Sequence, residues 1–529
     1  MGALATAFID GVQEKGVLAT IKHYAVNSIE NTRMEVDVSI DQRTLREVYL
    51  PHFKKGVQEG KVAAVMTAYN SVNGAFASEN AALLSILYDE WNFAGFTMSD
   101  WVFGTHNTVK AIEAGLDLEM PVGQIYGKRL SDAVCDGEVD PALIDRSLRR
   151  TIFAALCYGL DEVPSASLVD PAKLETEETL ALAREIARRG AVLLENDNGT
   201  LPLDGESVRV ALLGRLADAP NIGDSGSSKV VSSEIITVRA GLEEKLGERL
   251  LFVDAGDSEE AAITAADAIV LVVGLTGEDE GEFILGKGGD RVSLSLREDD
   301  LALIARTRVL AGTKPIIVIL EGGAAFTVEE FRDEVDAIVM AFYPGARGGE
   351  ALAALLLGEA NFTGRLPYSV PIDEADLPVF DNISHSVSYP YLHGYRLLSG
   401  EETRYPFGFG LSYTDFAYAD HAIEEGEDAL SLRLTVSNTG ARAGVEIVQA
   451  YIEYPGTISP RAKRELKAFE AIHLEAGANA TVELRVALDD LKYYDEESGE
   501  YRLEEGEYRV HIVRHAGESA EPPLTFSLP

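Results

Sequence analysis

The chain is 529 residues long, 46% hydrophobic and 25% charged, a globular composition too large for one ordinary core, so two or three domains are expected. Its formal charge of -41 excludes nucleic acid and an anionic membrane as natural partners, because both would be repelled. A neutral or cationic small molecule fits better, and the acidity, spread along the chain, reads as a hydrated surface.

At the N-terminus, Met1 to Ala7 lack the basic stretch and long apolar run of a signal peptide. No stretch is apolar enough to span a bilayer, so the sequence as written is expected to be cytoplasmic. Between residues 1 and about 160, apolar strands at Leu18 to Tyr24, Val62 to Tyr69, Gly95 to Asp100 and, more weakly, Ala114 to Met120 alternate with helical patterns. Leu45 to Gln58 and Ala81 to Trp91 read as amphipathic helices, and Asp140-Pro141 begins another with a cap and a first-turn proline. Four such units are half of a closed eight-fold barrel, which needs about 250 residues. Cys135 and Cys157 have no metal-ligand spacing and read as ordinary thiols on helices.

From about 175 to 400 the pattern is again α/β. The runs Val208 to Leu213, Ala268 to Gly274, Pro315 to Leu320 and Ala337 to Tyr343 are apolar throughout, as in a parallel sheet buried on both faces. Tyr405 to Leu411 is an aromatic, glycine-rich connector. From about 425 to 529 the period falls to two, at Leu430 to Val436, Val445 to Tyr451, Thr481 to Val486 and Tyr508 to Val513. The expected fold class is therefore multidomain α/β: a partial (β/α)8 barrel over 1–160, an α/β sandwich with a parallel sheet over 175–400, and a small β-sandwich over 425–529.

Polar residues collect at the ends of the first strands. Lys22-His23 closes one, Met66 to Asn70 with Tyr69 closes the next, and Asp100-Trp101 closes the third. In a parallel barrel, C-terminal strand ends face the pocket. Asp100 alone reads equally well as a helix cap, but the set supplies hydroxyl donors, an aromatic wall and one acid, as a sugar requires. Glycoside cleavage generally needs a second carboxyl group. Its best source is the acidic, glycine-rich loop after Gly274, where the residue pattern alone does not choose among Glu278, Asp279, Glu280 and Glu282. The glycine runs Gly223 to Ser228 and Gly345 to Gly349 lack the spacing of phosphate-binding loops and read as tight turns.

The sequence resembles glycoside hydrolase family 3, in its β-glucosidase branch. The motifs are Lys22 to Asn27 with Glu30 and Arg33, Leu45 to Pro51, Tyr69-Asn70 with Asn73-Gly74, Ser99-Asp100-Trp101, and Ala114 to Pro121. The match continues through Leu201 to Leu203, Gly223 to Ser228, Tyr343 to Gly349, Gly364 to Pro367 and Tyr405 to Thr414, and the last domain resembles a fibronectin type III-like module. The resemblance implies hydrolysis of terminal β-glucosides without a cofactor. It implies that Asp100 is the nucleophile of a retaining mechanism, that Lys22 and His23 hold sugar hydroxyls, that Met66 and Tyr69 shape the subsite, and that Trp101 is its wall. Glu280, followed by glycine and upstream of Gly289-Asp290-Arg291, matches the family's acid/base, with Glu278 as the fallback; the second domain must then fold over the barrel mouth.

The beginning departs from that pattern. The family's barrel extends upstream of the Lys-His strand, and residue 1 falls within what should be a mid-barrel helix, of which Phe8 to Glu14 are the remnant. A fragment, a split enzyme completed by a homodimer or by a missing N-terminal polypeptide, and a degenerate, catalytically incompetent carbohydrate-binding or assembly protein are the alternatives.

Overall fold

The computed structural model describes residues 1–160, 174–254, 258–284, 286–398 and 400–528. These form two compact units, the first containing residues 1–160 together with 381–391 and 493–502, and the second the rest. The α/β stretch expected over 175–400 and the β-sandwich expected over 425–529 thus each lend the first unit a short segment, which contiguous domains do not anticipate. Ser386–Ser388 pairs in parallel with Asp37–Ser39. Glu47 accepts hydrogen bonds from the Tyr391 hydroxyl (2.8 Å) and the Tyr494 backbone (2.7 Å).

In the first unit, β1 (Thr20–Tyr24), β2 (Ala64–Thr67) and β3 (Phe96–Met98) form a parallel sheet in that order. Ala64 to Thr67 are fully enclosed, and Tyr24, Val65, Leu83 and Leu87 anchor the core between this sheet and its helices. The helical stretch expected over Leu45 to Gln58 is interrupted at Leu50, where a π-turn ends and Pro51, lacking an N–H, starts a new helix to Gln58. Asp140 caps the helix Pro141–Cys157 as expected, accepting from Ala142 N at 2.9 Å.

The weak fourth strand is not formed. Its first residue ends the helix Thr108–Ala114, which Gly115 terminates at φ +118°, and beyond it Leu118 makes a single bridge to Met98. The apolar alternation Leu116, Leu118, Met120 is real, but a helix cap uses its beginning.

In the second unit, β4 (Val192–Asn196), β5 (Val210–Leu213), β6 (Leu250–Phe252), β7 (Ala268–Gly274), β8 (Ile316–Glu321) and β9 (Ala337–Met340) form one sheet in the order β4-β9-β8-β7-β5-β6. Five strands are parallel, whereas β4 runs antiparallel to β9, so the sheet is mixed at one edge. Ile269, Leu271 and Val273 enter one core and Ala268, Val270 and Val272 the other, which is why β7 shows no polar alternation.

The same unit contains an antiparallel sandwich. One sheet orders β10 (Phe416–Glu425), β11 (Ala429–Asn438) and β14 (Asn479–Ala487); the other orders β13 (Arg464–Leu474), β12 (Gly444–Glu453), β15 (Gly506–Val513) and β16 (Leu524–Leu528). β10 precedes residue 425, where the period-two pattern was expected to start. As an edge strand, mostly exposed, it carries charge where a central strand carries apolar side chains.

Candidate active site

Asp100 lies just beyond β3, after Ser99, and is 7% exposed. Its Oδ1 accepts the Trp101 N–H at 2.7 Å, while Oδ2 is buried and accepts no hydrogen bond from the described residues. His23 Nε2 approaches Oδ2 to 3.3 Å without hydrogen-bond alignment. One oxygen is therefore used to orient the carboxylate and the other stays available, which suits a nucleophile better than a structural cap.

The backbone around Asp100 is tied on several sides. Ser99 N donates to Leu118 O, Ser99 Oγ donates to the Asp100 carbonyl and accepts from Met120 N, each at 2.9 Å. Below it, the fully buried Asp117 carboxylate accepts from Thr97 N (3.0 Å) and Tyr88 Oη (2.6 Å) and pairs with Arg150 (3.3 Å), whose guanidinium lies over the Tyr88 ring. These contacts fix β3 in register with β2, where Met66 faces Met98.

Of the other candidates from the first unit, His23, Tyr69 and Trp101 are tied to this point. The Tyr69 hydroxyl donates to the Trp101 carbonyl at 2.7 Å, and Arg33 lies over the Tyr69 ring with its carbon 5.1 Å from the centroid. Trp101 is 43% exposed, free to cover an apolar face, whereas Met66 and Tyr69 are almost wholly buried. Lys22 is on the exposed side of β1, the neighbouring position to His23. Arg33 is the addition that side-chain reasoning did not single out as a site residue. Its signal is an arginine ten residues after His23 in a run otherwise poor in cations.

In the second unit, the four acids of the loop after β7 have different surroundings. Asp279 closes a capping box with Thr276 and pairs with Arg297 at 2.8 Å. Glu278 is exposed beside Lys287 (2.6 Å), and Glu282 accepts the Ser227 N–H. Glu280, its side chain 6% exposed, is held by groups from other strand ends: its Oε1 accepts from Gly323 N and from Tyr343 Oη (2.8 Å), and Arg291 is 3.5 Å from Oε2. Burial and the Glu280 charge push the Tyr343 pKa up, so its hydroxyl remains a donor. Tyr343 and Gly323 were not foreseen, since both follow strands whose loops carried no acidic signal.

The chain matches family models over nearly its whole length: the N-terminal domain of glycosyl hydrolase family 3 over residues 1–153, the C-terminal domain of the same family over 191–413, and a fibronectin type III-like domain over 446–516. It is 32% identical to thermostable beta-glucosidase B of Acetivibrio thermocellus, an alignment covering 97% of this chain and 69% of that protein. The chain belongs to glycosyl hydrolase family 3. It is also 31% identical to an exo-alpha-(1->6)-L-arabinopyranosidase of Bifidobacterium longum, covering 97% of this chain and 69% of that one. Beta-glucosidase 3B from Thermotoga neapolitana, in complex with glycerol, superposes with a TM-score of 0.88 at 30% identity, covering 99% of this chain and 79% of the other. The family 3 architecture with its C-terminal fibronectin-like sandwich is thereby established, and with it a glycoside hydrolase.

Among the described residues, no cluster of three or more His, Cys, Asp or Glu side chains is arranged to hold a metal. No described helix is long and apolar enough to cross a membrane. A cleft of about 460 Å³ in the sandwich, lined by Phe416, Tyr418, His421 and Arg514 among others, includes none of the family 3 candidates.

One further acid stands near the Glu280 loop. Glu321, at the end of β8, is 2% exposed; burial pushes its pKa up to about 8, opposed only in part by a hydrogen bond from Asn221 and the charge of Arg215. Because the folded value exceeds that of an unfolded glutamate, about 4.3, folding binds this proton more tightly and stability is lost as pH rises from about 4 to about 8. Glu321→Gln is therefore expected to gain in Tm relative to the parent across that range, with a constant difference above it. Thermal unfolding at a series of pH values checks this, and a difference independent of pH contradicts it.

Proposed function

We propose that this family 3 enzyme hydrolyses terminal nonreducing β-D-glucosides by double displacement, with Asp100 as nucleophile and Glu280 as acid/base. The observation that carries the reading is the buried, unbonded Oδ2 of Asp100 at a strand end beside His23. In the first step Oδ2 bonds to the anomeric carbon as the bond to the aglycone oxygen breaks, and Glu280 gives its proton to that oxygen. In the second, Glu280 takes a proton from water, whose oxygen displaces Asp100 and restores the carboxylate. Lys22 and His23 supply donors to sugar hydroxyls, Met66 and Tyr69 shape the subsite, and Trp101 covers an apolar sugar face. The names of the relatives include both glucosidases and an arabinopyranosidase, so the sugar is a β-D-glucopyranoside first and an α-L-arabinopyranoside second.

We take β1 to β3 with their helices as part of an eight-fold barrel within residues 1–160, followed by the α/β sandwich over 175–400 and the fibronectin-like domain over 425–529. The support is an uncovered face. Leu148, Ile152, Phe153 and Leu156 follow helical spacing along Pro141–Cys157, and Leu4 and Phe8 lie on Gly2–Gln13; all are more than half exposed. Further βα units, whether from residues preceding this sequence, from another polypeptide or from a second copy, would cover that face.

Proton NMR of chromogenic β-D-glucopyranoside turnover by the intact chain, at several chain concentrations, tests both readings. The β-anomer of glucose is expected to appear first, and the rate per chain to rise with concentration where a second copy completes the barrel. First release of the α-anomer, or no turnover at any concentration or with added barrel polypeptide, overturns the assignment.

A further inference from the structure

Glu321 has no place in the chemistry so far, yet an enclosed carboxyl group is costly and is kept only where its contacts compensate. Its Oε2 accepts from Nδ2 of Asn221 at 3.0 Å, and the same amide nitrogen donates to the Leu275 carbonyl at 3.0 Å. Leu275 N in turn donates to the Glu321 carbonyl at 2.8 Å. Asn221 is itself 8% exposed. One carboxyl and one amide thus lace together the loops after three adjacent strands, β5, β7 and β8.

Two of those loops hold Glu280. The loop after β7 carries it, and the loop after β8 carries Gly323, whose N–H it accepts. There is little slack between them: a Cβ on Gly322 would lie 3.2 Å from Glu280 Oε1 and 2.8 Å from the Phe326 ring, and Gly322 has φ +156°. A displacement at Glu321 therefore reaches the Gly323 amide within two peptide units.

We infer that Glu321 is a positioning residue for Glu280, acting through Asn221 and the Gly322-Gly323 backbone to hold the acid/base where it can reach the departing oxygen. The inference rests on the acid/base reading of Glu280. It predicts that the side chain needed at position 321 is one that accepts from Asn221 and fills the same space.

Glu321→Ala, Glu321→Gln and Asn221→Ala in the intact chain are to be compared on β-glucosides with phenyl and 2,4-dinitrophenyl leaving groups, alongside crystal structures of each variant. With Glu321→Ala, kcat/KM for the phenyl glucoside is expected to fall by about 10²-fold, the effect of an ångström-scale misplacement. For the dinitrophenyl glucoside, whose departure needs no proton, kcat/KM, which reports the first step alone, is expected to fall by about threefold or less, whereas its kcat falls further because the second step still needs Glu280 as base. Glu321→Gln restores the phenyl rate, and in the Glu321→Ala crystal structure the Glu280 carboxylate has left Gly323 N. An equal loss of kcat/KM on both substrates, or a Glu280 that keeps its contacts to Gly323 and Tyr343 in Glu321→Ala, overturns the inference. Should Glu321→Ala not fold, Asn221→Ala carries the same two readouts. If Glu280→Ala shows no leaving-group dependence, the acid/base assignment is what falls, while the crystal structures still decide whether Glu321 holds Glu280 in place.

Discussion

Asp100→Asn is expected to abolish turnover of aryl β-glucosides, by at least about 10⁴-fold in kcat, with folding intact. The amide keeps the shape, and its oxygen can still accept the Trp101 N–H that orients the native side chain at 2.7 Å. What it loses is an anionic Oδ2 able to bond to carbon. The neighbouring His23 Nε2, 3.3 Å from that oxygen, is not a carboxylate and cannot replace it. A purely capping Asp100 predicts a different outcome: little change in rate and little in stability, because asparagine caps about as well as aspartate. Steady-state kinetics with thermal unfolding on the same preparation separates them. Sodium azide sharpens the test on Asp100→Gly, where the anion can enter the vacated space, attack the anomeric carbon and yield the α-glucosyl azide. Recovery of the β-azide from that variant would remove Asp100 from the nucleophile's role.

How far such a site is legible in advance depends on whether its signal is local. β7 is read almost residue for residue, because burial on both faces demands an unbroken apolar run from Ala268 to Gly274. The residues Lys22, His23, Tyr69, Asp100 and Trp101 are visible for a similar reason, since each closes an apolar run. Their proximity is not visible: it follows from the parallel register that sets Tyr24 beside Thr67 and Met66 beside Met98. The segments 381–391 and 493–502 join the first unit through pairs such as Tyr391 with Glu47, separated by 344 residues, for which no periodicity or composition gives notice. Likewise Glu280 is one acid among four in its loop until Gly323 and Tyr343, from two other strand ends, select it.

That selection makes Glu280→Ala the second decisive variant. If Glu280 delivers the proton to the aglycone, its loss is expected to cost about 10²- to 10⁴-fold with phenyl or alkyl glucosides, the range of a single general acid. With a dinitrophenyl glucoside the first step needs no acid, so the covalent intermediate on Asp100 forms and accumulates, giving a burst followed by slow release. Azide then attacks that intermediate without needing a general base, and the product is the β-glucosyl azide, because two successive inversions at the anomeric carbon restore the starting configuration. Glu278→Ala, by contrast, removes an exposed carboxylate paired with Lys287, and is expected to change neither the burst nor the leaving-group dependence. Measuring both variants over one series of leaving groups assigns the proton donor: if Glu278→Ala gives the burst and the β-azide while Glu280→Ala behaves as the parent, then the enclosure of Glu280 by Gly323, Tyr343 and Arg291 is structural and the exposed acid does the chemistry.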